Sequence, residues 1–284
     1  MKQLLNWKVS VDHTKFTQVQ GHKSYQYYCK LWGNETQGFL FVCLSHLGEY
    51  HQKFLNEFFK PNIDDKLFTA ICLDYAGHGL STGTRGDFTD FEDYQQALFD
   101  VLNKYSDRKI ILFGHGLGAM LALSFNQRFS HHLQNIHGVI LLDAFSNYGQ
   151  LINPWQKYFN KSLQKLSPKM KYYPLNFWLN NFKKTDEFDP FCNPQVSMNA
   201  VHMALNLKNK MVQDAYFIQC PILHLMSYEC QDYDYKMHEI FKKSLKSDRL
   251  KEVQLGLSNR EKYNIEHVLE IRNIMFNWIN QCTK

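Results

Sequence analysis

The chain has 284 residues, of which 44% are hydrophobic and 21% charged, and its formal net charge is +5. This length and apolar content suffice for one large core, without a need for two independent domains. No apolar run approaches the length of a membrane span. The mild charge, with no dense arginine cluster or recognised module, gives no indication of nucleic-acid binding.

Strands and helices are predicted to alternate along the chain. An antiparallel hairpin, 16–20 and 25–32, opens the domain around Gly21. The later strands are predicted at 39–44, 68–74, 109–113, 138–143, 221–226 and 251–255. Helices are predicted near 50–59, 91–105, 119–129 and 270–281. Such alternation indicates a mainly parallel sheet with helices on both faces, and the strand signal is interrupted between 144 and 220.

The segment Gly114–Gly118 has the outline of a nucleophile elbow, G-x-S-x-G, with Gly116 in place of the serine. An apolar predicted strand precedes it and an apolar helical pattern follows it, which is the context that the motif requires. Gly114 and Gly118 relieve crowding in the turn. His115 is expected to be structural. Gly116 keeps the turn and removes the nucleophile.

Two further motifs make the chain resemble the monoglyceride lipase and lysophospholipase branch of the α/β-hydrolases, often labelled serine aminopeptidase S33-like. The signature D-x-x-G-H-G-x-S-x-G-x-R is matched by Asp74, Gly77, His78, Gly79, Ser81, Gly83 and Arg85. An H-G-x-G-E oxyanion loop is represented, one residue shorter, by Ser45–Glu49. In this family His46 and His78 are structural more often than catalytic, and Asp74 and Arg85 are expected to tie loops together.

The resemblance implies an α/β-hydrolase fold, with a mostly parallel central sheet, helices on both faces and an inserted helical lid. The predicted division is an N-terminal part of the core at 1–146, the lid at 147–215 and a C-terminal part of the core at 216–284. The oxyanion-loop remnant would consist of His46, Leu47 and Gly48, with Leu117 from the elbow.

All three catalytic positions of the resemblance are changed. A triad needs a carboxylate after one late strand and a histidine after the next, because the carboxylate orients the imidazole that takes the serine's proton. The chain has Cys230 at the acid position and Ser258 at the histidine position. Asp232 and His267 are the displaced candidates for these roles. No residue at the expected positions can perform the serine chemistry.

The sequence therefore predicts a catalytically inactive chain, a structural or protein-binding subunit among other proteins of a larger assembly. Two alternatives remain open. One is an active acylglycerol or lysophospholipid esterase with a displaced triad and a water-based mechanism. The other is a sensor that binds a small apolar ligand in the old acyl pocket.

The lid segment combines lysines with aromatic residues. Lys157, Lys161 and Lys165 form one helical stripe that could contact anionic lipid or an acidic protein, although a solvated face is the commoner role. The seven irregularly spaced cysteines fit reduced thiols, and neither a metal site nor a cofactor is expected. The N-terminus lacks a secretory signal core, so a cytoplasmic location is expected, with a cytoskeletal, ciliary or organellar assembly open.

Overall fold

The structure is a computed structural model that describes most of the chain. The described ranges are 16–21, 25–33, 38–59, 68–88, 90–145, 191–193, 195–228, 233–245, 247–258 and 265–282. Several positions named above lie outside them: Cys230, Asp232, Lys157, Lys161 and Lys165.

Eight strands of the described residues form one sheet in the order β1-β2-β4-β3-β5-β6-β7-β8. They are β1 (Phe16–Gln20), β2 (Gln26–Gly33), β3 (Phe39–Leu44), β4 (Phe68–Leu73), β5 (Ile110–His115), β6 (Ile136–Leu142), β7 (Ile222–Tyr228) and β8 (Leu250–Ser258). β2 pairs antiparallel with β1 and β4, and every later pairing is parallel. The α/β class and the mostly parallel sheet are thus confirmed.

The described helices cover both faces of the sheet. They are α1 (His51–Phe58), α2 (Phe91–Leu102), α3 (Leu117–Phe129), α4 (Met198–Gln213), α5 (Tyr235–Ser244) and α6 (Ile265–Cys282). One apolar core lies between the sheet and α2, α3, α4 and α5, and a second lies between the sheet and α1 and α6. β3 serves both cores by strand alternation: Leu40 and Val42 enter the first, Phe41 and Cys43 the second.

The structure extends the predicted elements at several points. α5 was not predicted as a helix, and α4 lies within 147–215, the range predicted as a helical lid without bounds for its helices. Its apolar residues pack in the same core as α3. α6 begins at Ile265, before the predicted start, and so includes His267. Among the described helices, none is long and apolar enough to cross a membrane.

Candidate active site

The nucleophile elbow is present in the structure. β5 ends at His115, Gly116 adopts φ +54° and ψ −112°, and α3 begins at Leu117. The Gly116 N–H donates a 2.8 Å hydrogen bond to the carbonyl of Leu142 at the end of β6. A positive φ is strained for a residue with a Cβ, so glycine relaxes this turn.

The two flanking glycines are required by close backbone contacts. A Cβ on Gly114 would collide with the carbonyl of Gly118, and a Cβ on Gly118 would collide with the carbonyl of Leu44 on β3. Backbone cannot move aside as a flexible side chain can. The chain therefore packs the start of α3 against β3 closely enough to form the elbow.

The imidazole of His46 occupies the space above the elbow apex. A Cβ added to Gly116 would collide with Cδ2 of His46 and stand 2.5 Å from its Nε2. His46 is buried, with 3% of its surface exposed. A serine at position 116, or a ligand over the apex, therefore requires this ring to move.

His46 belongs to a buried cluster with His115 and Glu49. The two imidazole rings meet edge to face at 5.1 Å, and His115 Nδ1 lies 3.7 Å from the Glu49 carboxylate. Burial, followed by the proximity of His115, lowers the pKa of His46 to about 3. Burial would raise the pKa of Glu49, but Lys53 and His115 hold it well below its usual range. At neutral pH the cluster thus pairs a neutral His46 with an ionised Glu49.

The D-x-x-G-H-G motif forms a tight loop beside this cluster. The Asp74 carboxylate accepts hydrogen bonds from the backbone N–H of His51 and Leu80, and lies 2.7 Å from His51 Nδ1. Arg85 donates 2.8 Å hydrogen bonds to the carbonyls of Gly79 and Phe191. Asp74 thus contacts backbone and the His51 ring, and Arg85 contacts backbone carbonyls.

The other residues of this motif are packed as structural parts. A Cβ on Gly77 would collide with the carbonyl of Thr84, and one on Gly79 with the Asp74 carboxylate. Ser81 Oγ donates to the carbonyl of Asp74 at 2.8 Å. Burial lowers the pKa of the His78 imidazole to about 4. Gly83 also adopts a positive φ.

A buried carboxylate that the sequence reasoning missed stands next to the elbow. Asp143 follows β6 directly, has φ +50°, and is 2% exposed. Its carboxylate accepts hydrogen bonds from the backbone N–H of Ser227 at 2.8 Å and from its hydroxyl at 2.7 Å. A residue with a Cβ in this conformation is strained, and such strain concentrates at functional sites. The only sequence signal was an aspartate at the end of a predicted strand.

The late triad positions are partly described. Ser258 ends β8, where its backbone pairs with Tyr228 of β7. His267 lies in the first turn of α6. Leu47 is buried and Gly48 has a positive φ in the loop after β3. The displaced roles of Asp232 and His267 remain predictions.

These features define an α/β-hydrolase, with an eight-stranded, mostly parallel sheet and an elbow between β5 and α3. The chain belongs to the serine aminopeptidase S33 family, whose model matches residues 41–255.

Similar solved structures include monoglyceride lipases. That of Paleococcus ferrophilus gives a TM-score of 0.71 at 17% identity, over 90% of this chain and 99% of that one. A soluble variant of the Saccharomyces cerevisiae enzyme, in complex with a substrate analog, gives 0.72 at 16% identity, over 98% and 97%. At these identities the likeness shows the fold.

Sequence relatives match over shorter segments. A protein of Mycoplasma pneumoniae that is named as an esterase/lipase is 30% identical over 112 residues, which are 37% of this chain and 41% of that protein. Methylesterase 17 of Arabidopsis thaliana is 33% identical over 63 residues, 22% of this chain and 23% of that protein. The chain thus spans less than half the length of these relatives.

These matches correct one prediction. The prediction of a catalytically inactive chain, a pseudoenzyme acting as a structural subunit, is wrong: the family and the similar proteins carry the names of hydrolases, esterases and lipases. That prediction equated the changes at all three triad positions, Gly116, Cys230 and Ser258, with the loss of hydrolysis. Ester hydrolysis requires a nucleophile, and water can serve as one. The alternative of an active esterase has the better support.

Proposed function

We propose that the chain hydrolyses carboxylic esters, of the acylglycerol or lysophospholipid class, with water as the attacking nucleophile at the elbow. One observation carries the proposal. The elbow at Gly116 keeps its positive φ and has the imidazole of His46, in place of a serine side chain, directly over the apex.

The elbow supplies positive electrostatic potential for the developing oxyanion. The first N–H groups of a helix lack partners within it, and α3 begins directly after Gly116. Such preorganised donors stabilise the negative charge of a tetrahedral intermediate. Leu117, the first residue of α3, would contribute its N–H to this role.

His46 would act as the base that takes a proton from water. A substrate can reach Gly116 only when this ring turns away, because the ring fills that space. Leaving the buried position would remove the main cause of its lowered pKa, which then returns toward about 6.5. In that position the ring is a base suited to neutral pH.

The reaction would proceed without a covalent intermediate. The water oxygen attacks the ester carbonyl carbon while its proton moves to His46. The tetrahedral intermediate then breaks the bond to the alcohol oxygen, which leaves with a proton from His46. Without a serine triad, turnover should resemble triad-deleted hydrolases, which retain roughly 10³–10⁴-fold acceleration over water. Asp232 and His267 are the alternative acid and base.

Hydrolysis of a short-chain p-nitrophenyl ester tests the proposal. The unmodified chain should turn over the ester slowly and resist labelling by a fluorophosphonate, which reacts with activated serines. His46→Ala should reduce kcat at least tenfold. His131→Ala, on the exposed surface, is the matched control and should leave kcat unchanged.

Two results would change the account. Loss of activity in His267→Ala with full activity in His46→Ala would assign the base to α6 instead. Absence of turnover in the unmodified chain, across short and long acyl esters, would refute ester hydrolysis.

A cytoplasmic location is proposed with this function. Support comes from the described cysteines, which are free thiols and form no disulfide with one another. We keep as further proposals a contact of the lid with membrane lipid and binding to other protein subunits.

A further inference from the structure

Two imidazoles and a carboxylate converge on the α5 side of the last two strands, within the part of the chain that the structure describes. His224 on β7 pairs in register with Glu252 on β8, so both side chains lie on the same face of the sheet. His238, on α5, packs over them. The ligand atoms of the three residues all lie within 4.8 Å of one another.

The distances within this group centre on one carboxylate oxygen. Oε1 of Glu252 lies 2.7 Å from Nε2 of His238 and 3.9 Å from Nδ1 of His224. The two imidazole rings meet edge to face, with centroids 4.9 Å apart. Two imidazole nitrogens and one carboxylate oxygen therefore lie close together.

A buried ring nitrogen of His224 faces this group. His224 is fully buried, and its Nδ1 has no hydrogen-bond partner among the described residues. A buried polar atom in this condition requires an explanation, and a bound ion is one.

The second ring nitrogen of His224, Nε2, has a polar neighbour, as is usual for histidines that bind a metal. Its Nε2 lies 3.4 Å from the hydroxyl of Tyr233, and the ring of Phe145 packs at 5.5 Å. When Nε2–H donates to the Tyr233 hydroxyl, Nδ1 is left free to ligate. Tyr233 thus orients the ring toward Glu252.

We propose that His224, His238 and Glu252 bind one zinc ion. Two imidazoles and one carboxylate are a donor set that zinc uses, whereas calcium and magnesium require more oxygen ligands. Tetrahedral bonds of roughly 2.0–2.1 Å place ligand atoms about 3.3 Å apart. The ligand atoms lie within 4.8 Å of one another, so side-chain movements would bring them to this spacing, and water would complete the coordination. The Glu252 side chain is 25% exposed, which gives the ion an entry from solvent.

Lys242 is the group that opposes this site. Its ammonium lies 2.8 Å from Oε2 of Glu252 and 3.6 Å from Glu239. If the three residues only form ion pairs with Lys242, they have no affinity for zinc, and removing the lysine creates none. If they bind zinc, the ammonium competes for the Glu252 carboxylate and repels the ion, so removing the lysine should tighten zinc binding.

The test is zinc titration of the full chain after treatment with a chelator, in competition with a chromogenic chelator. We expect one zinc per chain with a Kd below about 1 µM. Glu252→Gln and His238→Gln should each weaken binding at least tenfold. Glu239→Gln, on the same helix and also beside Lys242, is the matched control and should not. Lys242→Met should tighten binding several-fold.

Cobalt substitution gives a second readout that needs no variant. Co²⁺ added to the unmodified chain should give the strong visible bands of tetrahedral coordination, and zinc should abolish them. Absence of zinc binding, or binding that Glu252→Gln and His238→Gln leave unchanged, overturns the proposal. Octahedral cobalt bands, which indicate mere surface binding, overturn it as well.

Discussion

The two ends of the sheet differ in how closely they keep the structural features of a hydrolase. The region from β3 to β6 retains the elbow, the flanking glycines and the tight loop after β4, each fixed by contacts of backbone on backbone. The region from β7 to α6 keeps the strands, and from the sequence we predict that it lacks the acid and the histidine at the expected positions. It carries the cluster of His224, His238 and Glu252 instead.

The difference shows which constraints belong to the fold. A glycine pressed against a neighbouring carbonyl cannot change without loss of packing, whatever the chemistry of the site. A catalytic side chain at the end of a strand projects into a cleft, and its replacement leaves the core intact. The elbow can therefore persist after its serine is gone.

The largest predicted effect concerns acid, and it arises in the region from β3 to β6. The pKa of His46 is lowered to about 3 and that of His78 to about 4, below the ordinary 6.5 of the unfolded chain. At a pH between the folded and the unfolded pKa values, the unfolded state binds more protons than the folded state. The contribution of these histidines to the free energy of unfolding is therefore complete above pH 6.5 and decreases as the pH falls below it. From pH 7 to pH 5 each histidine should cost about 2 kcal/mol.

Urea unfolding at pH 7, 6 and 5 measures this effect. His46→Gln should remove the contribution of His46, so that the free energy of unfolding depends less steeply on pH. A stability that is unchanged or that rises toward pH 5 would show that these rings are not held neutral.

The second prediction compares one glycine from each region. Gly118→Ala places a Cβ against the backbone carbonyl of Leu44 and should lower the free energy of unfolding by about 3 kcal/mol. Gly256→Ala on β8 has no atom within 4 Å of the new Cβ and should change it by less than about 0.5 kcal/mol. Urea unfolding of both variants checks the contrast. Equal effects would remove the proposed difference between the regions.

The smallest effect lies at the boundary between the regions. Ser227→Ala removes the 2.7 Å hydrogen bond from the hydroxyl to the buried carboxylate of Asp143. Hydrogen bonds to charged groups contribute roughly 1.5–3 kcal/mol, and the backbone N–H of Ser227 remains as a donor. We expect a loss of about 1.5 kcal/mol in thermal or urea unfolding. Ser244→Ala, which removes an exposed hydroxyl bonded within its own helix, is the control and should have little effect.

The sequence predicted the elements that depend on local patterns. Apolar runs located the buried strands, and glycine spacing located the elbow at Gly116. It predicted a helical lid over 147–215 but not the bounds of α4, whose apolar residues share a core with α3, far earlier in the chain. It also missed Asp143, because nothing local distinguishes an aspartate that meets Ser227 across the sheet.

By itself the sequence determined the fold class, the family resemblance and the loss of serine from the elbow, because these are matters of residue identity and short spacing. The comparisons with known hydrolases then overturned the inference of an inactive subunit. Only the tertiary structure decided that His46 lies over Gly116 and that His224, His238 and Glu252 meet. Those residues are far apart along the chain, and parallel pairing and helix packing bring them together.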